Sequence, residues 1–467
     1  MKRILALILG LGLGIGLIGV LPLSADEDKD EREKYPFYPS LLNTTSGKPV
    51  KSGEFESPEV CRECHAEIYD QWKGSMHSNA WNDPVFQALW RLGNKETGGL
   101  TEKLCAGCHT AIGTISEEIL QKDEKGDYKI SEIAKHGVQC DVCHSVKAAT
   151  YKDAKGLEPH NATLLIDPGD VKYGPFKDAK SPHHETSYSE LHTKAEFCAN
   201  CHHVFHPLSG FPIERTYDEW KNSVYQQNGI VCQDCHMATV EDAMEVARTL
   251  KKVLRPGKAA NEGPERSHIY SHYFVGGNVT IPALLGYNKH ADMAKKRLQS
   301  AAKVEIIAPA EMKTGQLGTV KVKITNVGAG HNLPTSLTEV RQMWLEVLIC
   351  DKDGNKILHT GWLDKDHNIE PEATIYNTPG VDKDGHQTVK PWEVARFEYD
   401  NTIRPKGSAT EVYSFVVPST QKGPIQIKAT LCYRSYPQAV ANLLLGKDAP
   451  VLPIVDMAAA SGSIKVN

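Results

Sequence analysis

Five segments of this 467-residue chain read Cys-x-x-Cys-His, at 61–65, 105–109, 140–144, 198–202 and 232–236. At this composition one such pentapeptide is expected by chance only about 0.01 times per chain, so five are there for a reason. Two thiols three residues apart lie on the same side of a single turn, where they can reach the two vinyl groups of one porphyrin. The imidazole that follows then projects beneath the ring as a ligand to its iron. The pattern predicts five covalently attached haem c groups, held by Cys61 and Cys64, Cys105 and Cys108, Cys140 and Cys143, Cys198 and Cys201, and Cys232 and Cys235. His65, His109, His144, His202 and His236 are the expected proximal ligands. Structural zinc sites also pair Cys-x-x-Cys words, but zinc coordination does not require a histidine directly after each pair.

The second axial ligand decides what each iron does. A closed six-coordinate iron suits electron transfer, whereas an open position binds small ligands. Of 20 His, five are proximal, which leaves 15 for at most five distal places. Met76 and Met237 merely adjoin histidines, so His is the favoured distal ligand, and bis-His ligation implies lower potentials than Met/His. The distal candidates are His77, His184, His192, His206, His272 and His331. His183, His203 and His268 flank them in the same clusters, while His136, His160 and His290 carry weaker claims. Gly276 and Gly277 follow His272 and permit close approach of the backbone to a flat cofactor.

The elements that must position these residues follow from the arithmetic. Residues 57 to about 240 supply under 40 residues per haem, too few to build a hydrophobic core around each. The porphyrins must therefore be the core of a mainly α, loop-rich multihaem domain over 57–285. Site spacings of 44, 35, 58 and 34 residues show no repeat. Residues 240–256 and 286–303 have helical composition, and the second, free of Gly and Pro from 291 to 302, reads as a linking helix. From 304 to 467 there is no attachment site, and β-type runs appear at 319–325, 343–349, 411–417 and 425–433. A turn at 351–355 joins the second run to 356–362. This predicts a C-terminal antiparallel β-sandwich, immunoglobulin-like in its strand spacing. The Asp-rich words at 351, 364 and 382 read as turns, since the first lacks the Glu of a calcium loop. Cys350 and Cys432 each end a run and are a disulfide candidate, with buried free thiols as the alternative. His331, in Gly328-Ala-Gly-His-Asn-Leu-Pro-Thr335, is where the two domains are expected to meet.

The N-terminus has the layout of an export signal over 1–25: Lys2 and Arg3, an apolar run from 4 to 23, and Leu23-Ser-Ala25 before a charged stretch. The run is also long enough to stay as an uncleaved membrane anchor. Residues 26–56 read as a linker. Either way the body is expected in the periplasm or outside the cell. The net charge of −5, with no long basic block, argues against nucleic acid.

Cys61-Arg-Glu-Cys-His65 followed by Trp72-x-x-Ser75-x-His77, together with Gly137-Val-Gln-Cys-Asp-Val-Cys-His144 and Gly229-Ile-Val-Cys-Gln-Asp-Cys-His-Met237, resembles the multihaem cytochromes related to hydroxylamine oxidoreductase and its tetrahaem cytochrome partner. The resemblance covers roughly 57–280 and implies that His77 is a distal ligand. Hydroxylamine oxidoreductases carry eight haems where this chain has five sites. The Lys that replaces one proximal His in pentahaem nitrite reductases does not occur here. The expectation is an electron-transferring cytochrome with closely packed, mostly bis-His haems. It would relay electrons between a membrane donor of quinol oxidase type and a terminal reductase, as a single chain, an oligomer or a filament. The alternative is an oxidoreductase acting on a small nitrogen or sulfur compound at one open haem, with His136 or His160 as proton donors.

Overall fold

The computed structural model describes residues 34–151 and 158–467. The export signal and the start of the linker lie outside the described residues. Among those described, no helix is long and apolar enough to cross a membrane.

The attachment half is built from short helices and long connections. The main ones are α1 (Pro84–Thr97), α2 (Leu100–His109), α3 (Thr216–Lys221) and α4 (Val240–Thr249). Asp83 caps α1, its Oδ1 accepting from the amides of Val85 (2.8 Å) and Phe86 (3.2 Å), and Pro84 supplies the preset first turn. Gly98, left-handed at φ 63°, ends it. Val85, Phe86, Leu89 and Leu92 recur at helical spacing and line the interior of this half. The half is less purely helical than composition suggests. Between 146 and 214 the backbone also pairs in strands of two to four residues, such as Val146–Ala149 with Leu164–Ile166. Long connections must satisfy their amides somewhere, and neighbouring loops are the nearest acceptors.

Helix α5 (Asn288–Ala301) leads directly into the second half. There the main strands are β1 (Ala302–Ile307), β2 (Leu317–Asn326), β3 (Gln342–Cys350), β4 (Lys356–Thr360), β5 (Ser408–Val416), β6 (Ile425–Arg434) and β7 (Val455–Val466). One sheet runs β1-β2-β5; the other runs β7-β6-β3-β4, with the short strand Glu311–Met312 outside β7. Alternation along β2, exposed at 317, 319 and 321 and buried at 318, 320 and 322, sends Val320, Val322 and Ile324 into a core shared with Leu345, Val347, Ile427 and Leu431. Glu311–Met312 pairs parallel to β7, so the second sheet is mixed where a fully antiparallel one was expected. The 12-residue β7 outruns its partner β6 and offers a free edge to that segment.

The register excludes the expected disulfide. Cys432 stands opposite Trp344 on β3, and Cys350 stands opposite Gln426 on β6. The two cysteines are thus six residues apart along the ladder, roughly 20 Å, against a bridging limit of about 7 Å. Both are free thiols.

Candidate haem-binding site

Each Cys-x-x-Cys-His word sits in or beside a helical turn, as at α2, Cys140–His144 and Cys232–His236, so both thiols and the imidazole leave the backbone on one side. All five proximal candidates and nine of the ten attachment thiols line one continuous cavity of about 1980 Å³. Every one of the five imidazoles is fixed through Nδ1. His65 donates to Ala259 O (2.6 Å), His109 to Ala80 O (2.9 Å), His144 to Tyr173 O (2.7 Å) and His236 to Val275 O (2.7 Å). A carbonyl only accepts, so Nδ1 carries the proton and Nε2 keeps its lone pair for a metal. His202 differs, because its Nδ1 faces Glu214 Oε1 at 3.3 Å. Burial opposes charge on His202, yet the buried Glu214 carboxylate raises its basicity to about 9. For His236 and His109 burial prevails, lowering them to about 3 and about 4, so both rings are neutral and ready to ligate.

Three distal candidates stand opposite proximal ones. His331 faces His236 with ring centres 6.1 Å apart and planes 13° apart. His184 faces His65 at 6.5 Å, and His77 faces His202 at 6.3 Å. Two imidazoles bonding one ion from opposite sides at about 2 Å have centres about 6 Å apart, and the three separations match that spacing. The outer nitrogens of His184 and His331 are occupied in the same way, by Glu185 O and Asn332 O, both at 2.9 Å.

The sequence words around His77 and His331 now have a physical reading. Gly137 adopts φ +65°, and a Cβ there would come within 2.8 Å of His77 O, which accepts from the amide of Val138 at 2.9 Å. Trp72 Nε1 donates to Val138 O at 2.9 Å. The Trp-x-x-Ser-x-His turn is thereby clamped to the third attachment segment. Gly328 and Gly330 let the loop carrying His331 pass the end of α5 and the ring of Tyr225, where side chains would meet atoms at 2.3 and 3.3 Å.

Two further candidates lie near His144. His192 is 5.6 Å away, but its Nε2 is turned to Cys143 O (3.0 Å), and its buried Nδ1 has no partner. His272 is enclosed, with Nδ1 bonded to Tyr270 O at 3.1 Å and Nε2 free. Burial, and after it the charge of His144, lowers His272 to about 3. His206 is corrected: its Nδ1 accepts from the amides of Leu208 and Ser209, both at 3.2 Å, so it braces a turn. His268 likewise accepts from Arg255 N (2.9 Å), and His290 is bonded to Gln71 O (2.9 Å).

His109 has a different neighbour. Phe86 lies flat on it, centres 3.7 Å apart and planes within 1°. Among the described residues no second imidazole pairs with His109 at the distance seen for the other four, although His77 and His202 are near enough to exchange charge effects with it. Sequence spacing missed Phe86 and Glu214 because a lone aromatic and a lone carboxylate carry no periodic signal.

The sites neighbour one another out of sequence order. The thiol of Cys61 is near enough to that of Cys140 to shift its proton affinity, as Cys108 is to Cys201 and Cys198 to Cys232. Cys143 also feels the charge of Cys201. Naming sites by chain order, the first adjoins the third, the third the fourth, and the fourth both the fifth and the second.

Residues 60–145 match the family described as cytochrome c554 and c-prime. The fold is similar to that of a penta-heme cytochrome c552 from Thermochromatium tepidum, at TM-score 0.61 and 18% identity over 88% of this chain and 99% of that one. Over 36% of the chain it also matches the CARDB domain of a Pyrococcus furiosus protein, 87% of which is covered, at TM-score 0.18 and 16% identity. No curated protein sequence matches the chain. The attachment words, the fixed imidazoles, the matched segment 60–145 and the fold shared with the penta-heme cytochrome agree with the class of multihaem c-type cytochromes and with haem c as the group held. Within that class, the segment from the first to the third site is the part that matches cytochrome c554 and c-prime.

Proposed function

We propose that this cytochrome transfers electrons through five haems packed in one branched array. The reading rests chiefly on all five attachment words lining one cavity with thiols of different sites near one another, which would bring their haems close together. Haem c, when bound, supplies one-electron exchange at iron. His65 and His184, His77 and His202, and His236 and His331 would close three irons, and His272 is the better placed partner for His144 because its Nε2 is free. The backbone carbonyls and Glu214 hold each proximal ring in one tautomer. The path then runs first, third, fourth, fifth, with the second site branching from the fourth. The protein would work in the periplasm or outside the cell, between a membrane quinol-oxidising donor and a terminal reductase.

A second reading has its own observation. Among the described residues the His109 site has no paired imidazole, and it lies at the end of a branch. A haem held there would be open to a small nitrogen or sulfur compound, with the other four supplying or removing electrons. Haem quantitation and EPR of the oxidised holoprotein test both readings. Five haems per chain, four low-spin and one high-spin, are expected. Five low-spin haems would sink the second reading, and a count other than five would sink the array.

A further inference from the structure

A cluster beside the fourth attachment site takes no part in holding haem. His203 is only 2% exposed, its ring fixed between Phe205 (centres 4.7 Å) and Tyr217 (5.6 Å). Its Nδ1 donates to Pro159 O at 3.0 Å, which directs the other nitrogen, Nε2, at Asp218 Oδ2, 3.2 Å away. Glu158 completes a group whose ligand atoms all lie within 4.8 Å of one another. At this distance Nε2 and Oδ2 share either a proton or a cation. The carboxylates bring two negative charges, against which Lys221, paired with Glu158, sets one positive charge.

We propose that Glu158, His203 and Asp218 form a binding site for a divalent transition metal of the zinc class. One such ion supplies both charges and lets the half-exposed Lys221 swing into solvent. The arrangement repeats what metal-bound histidines need: the outer nitrogen held by a carbonyl, the inner one aimed at the ion. A tetrahedral site with bonds of about 2.0–2.1 Å has ligand atoms roughly 3.3 Å apart, close to the spacing of Nε2 and Oδ2. Imidazole in the ligand set selects zinc, copper or nickel over calcium and magnesium. Asp218 and Glu158 are partly exposed, which gives the ion a way in, and a fourth position is left for water. Bound metal would tie the segment before His160 to α3 and to the residue after His202.

The test is zinc titration of the holoprotein by calorimetry, with metal content measured after dialysis. One equivalent is expected, with affinity at least tenfold weaker in Asp218→Asn and in Glu158→Gln, and several-fold tighter in Lys221→Met, which removes the competing cation. Asp218 is at the surface, so an unchanged haem absorption spectrum verifies that its variant is folded. No uptake, equal uptake by wild type and Asp218→Asn, or displacement of zinc by tenfold excess calcium would overturn the proposal.

Discussion

His331→Ala isolates one iron and one domain contact. The loop bearing His331 is held on the haem half by bonds that do not use its ring. The Asn332 amide donates to Glu219 Oε2 at 3.1 Å, Thr335 Oγ1 donates to the same oxygen at 2.6 Å, and Thr335 also bonds Thr216 at 2.9 Å. Removing the imidazole should therefore leave the domains docked and the His236 ring fixed to Val275 O, while taking away the group 6.1 Å across from it. On the reading that leaves the His109 site open, the high-spin share should rise from about one haem in five to about two in five, and with all sites closed from none to about one in five. The high-spin EPR signal of the oxidised protein should then grow by that share, and the Soret band should move accordingly. His331→Met serves as the control, because a thioether keeps the iron closed and raises that haem's potential in a redox titration. An unchanged high-spin signal in His331→Ala would refute the pairing of His236 with His331 and the role given to the glycine-rich loop.

Three other perturbations follow. Glu339 is buried with neither carboxyl oxygen bonded, and burial raises it from 4.5 to about 8. A raised acid contributes stability that is full below pH 4.5 and lost as pH rises through 8, so Glu339→Gln should flatten the pH profile and be the more stable form at pH 9, by up to about 5 kcal/mol in urea unfolding. Cys350 and Cys432 should both label with a maleimide in denatured, unreduced holoprotein, giving two thiols per chain; zero would restore the disulfide. Asp83→Ala should cost about 1 kcal/mol at pH 8 by removing the cap of α1, whereas Asp83→Asn, which caps equally well, should be nearly neutral in the same denaturation assay.

Local chemistry was legible from the residues; long-range pairing was not. The attachment words and their proximal imidazoles are set by spacing within five residues, and the β-runs by alternation within one strand, so both could be read directly. Which distal histidine meets which iron depends on chain separations of 95 residues for His236 and His331 and 125 for His77 and His202, and no local pattern encodes that. The disulfide failed for the same reason. Two cysteines that each end a strand look adjacent until the register sets them six residues apart. His206 looked like a ligand because it stands four residues after His202, yet a turn of Pro207, Leu208 and Ser209 consumed its nitrogen.

The glycines mark where sequence and tertiary geometry meet. Gly137, Gly328 and Gly330 carry no chemistry, but each sits where any Cβ would strike the backbone or ring that brings a histidine to its partner. His331 lies within three residues of two of these glycines, whereas His77 is brought to its partner by one 60 residues away, so only the first association is legible locally. The same logic explains why the branch at His109 escaped notice: its distinguishing feature is a missing histidine and a phenylalanine 23 residues upstream, brought onto the ring only because α1 folds back across α2. Whether an iron is open is decided by what fails to arrive from elsewhere in the chain. On the second reading, that makes the His109 site the place where function turns on tertiary structure rather than on motif.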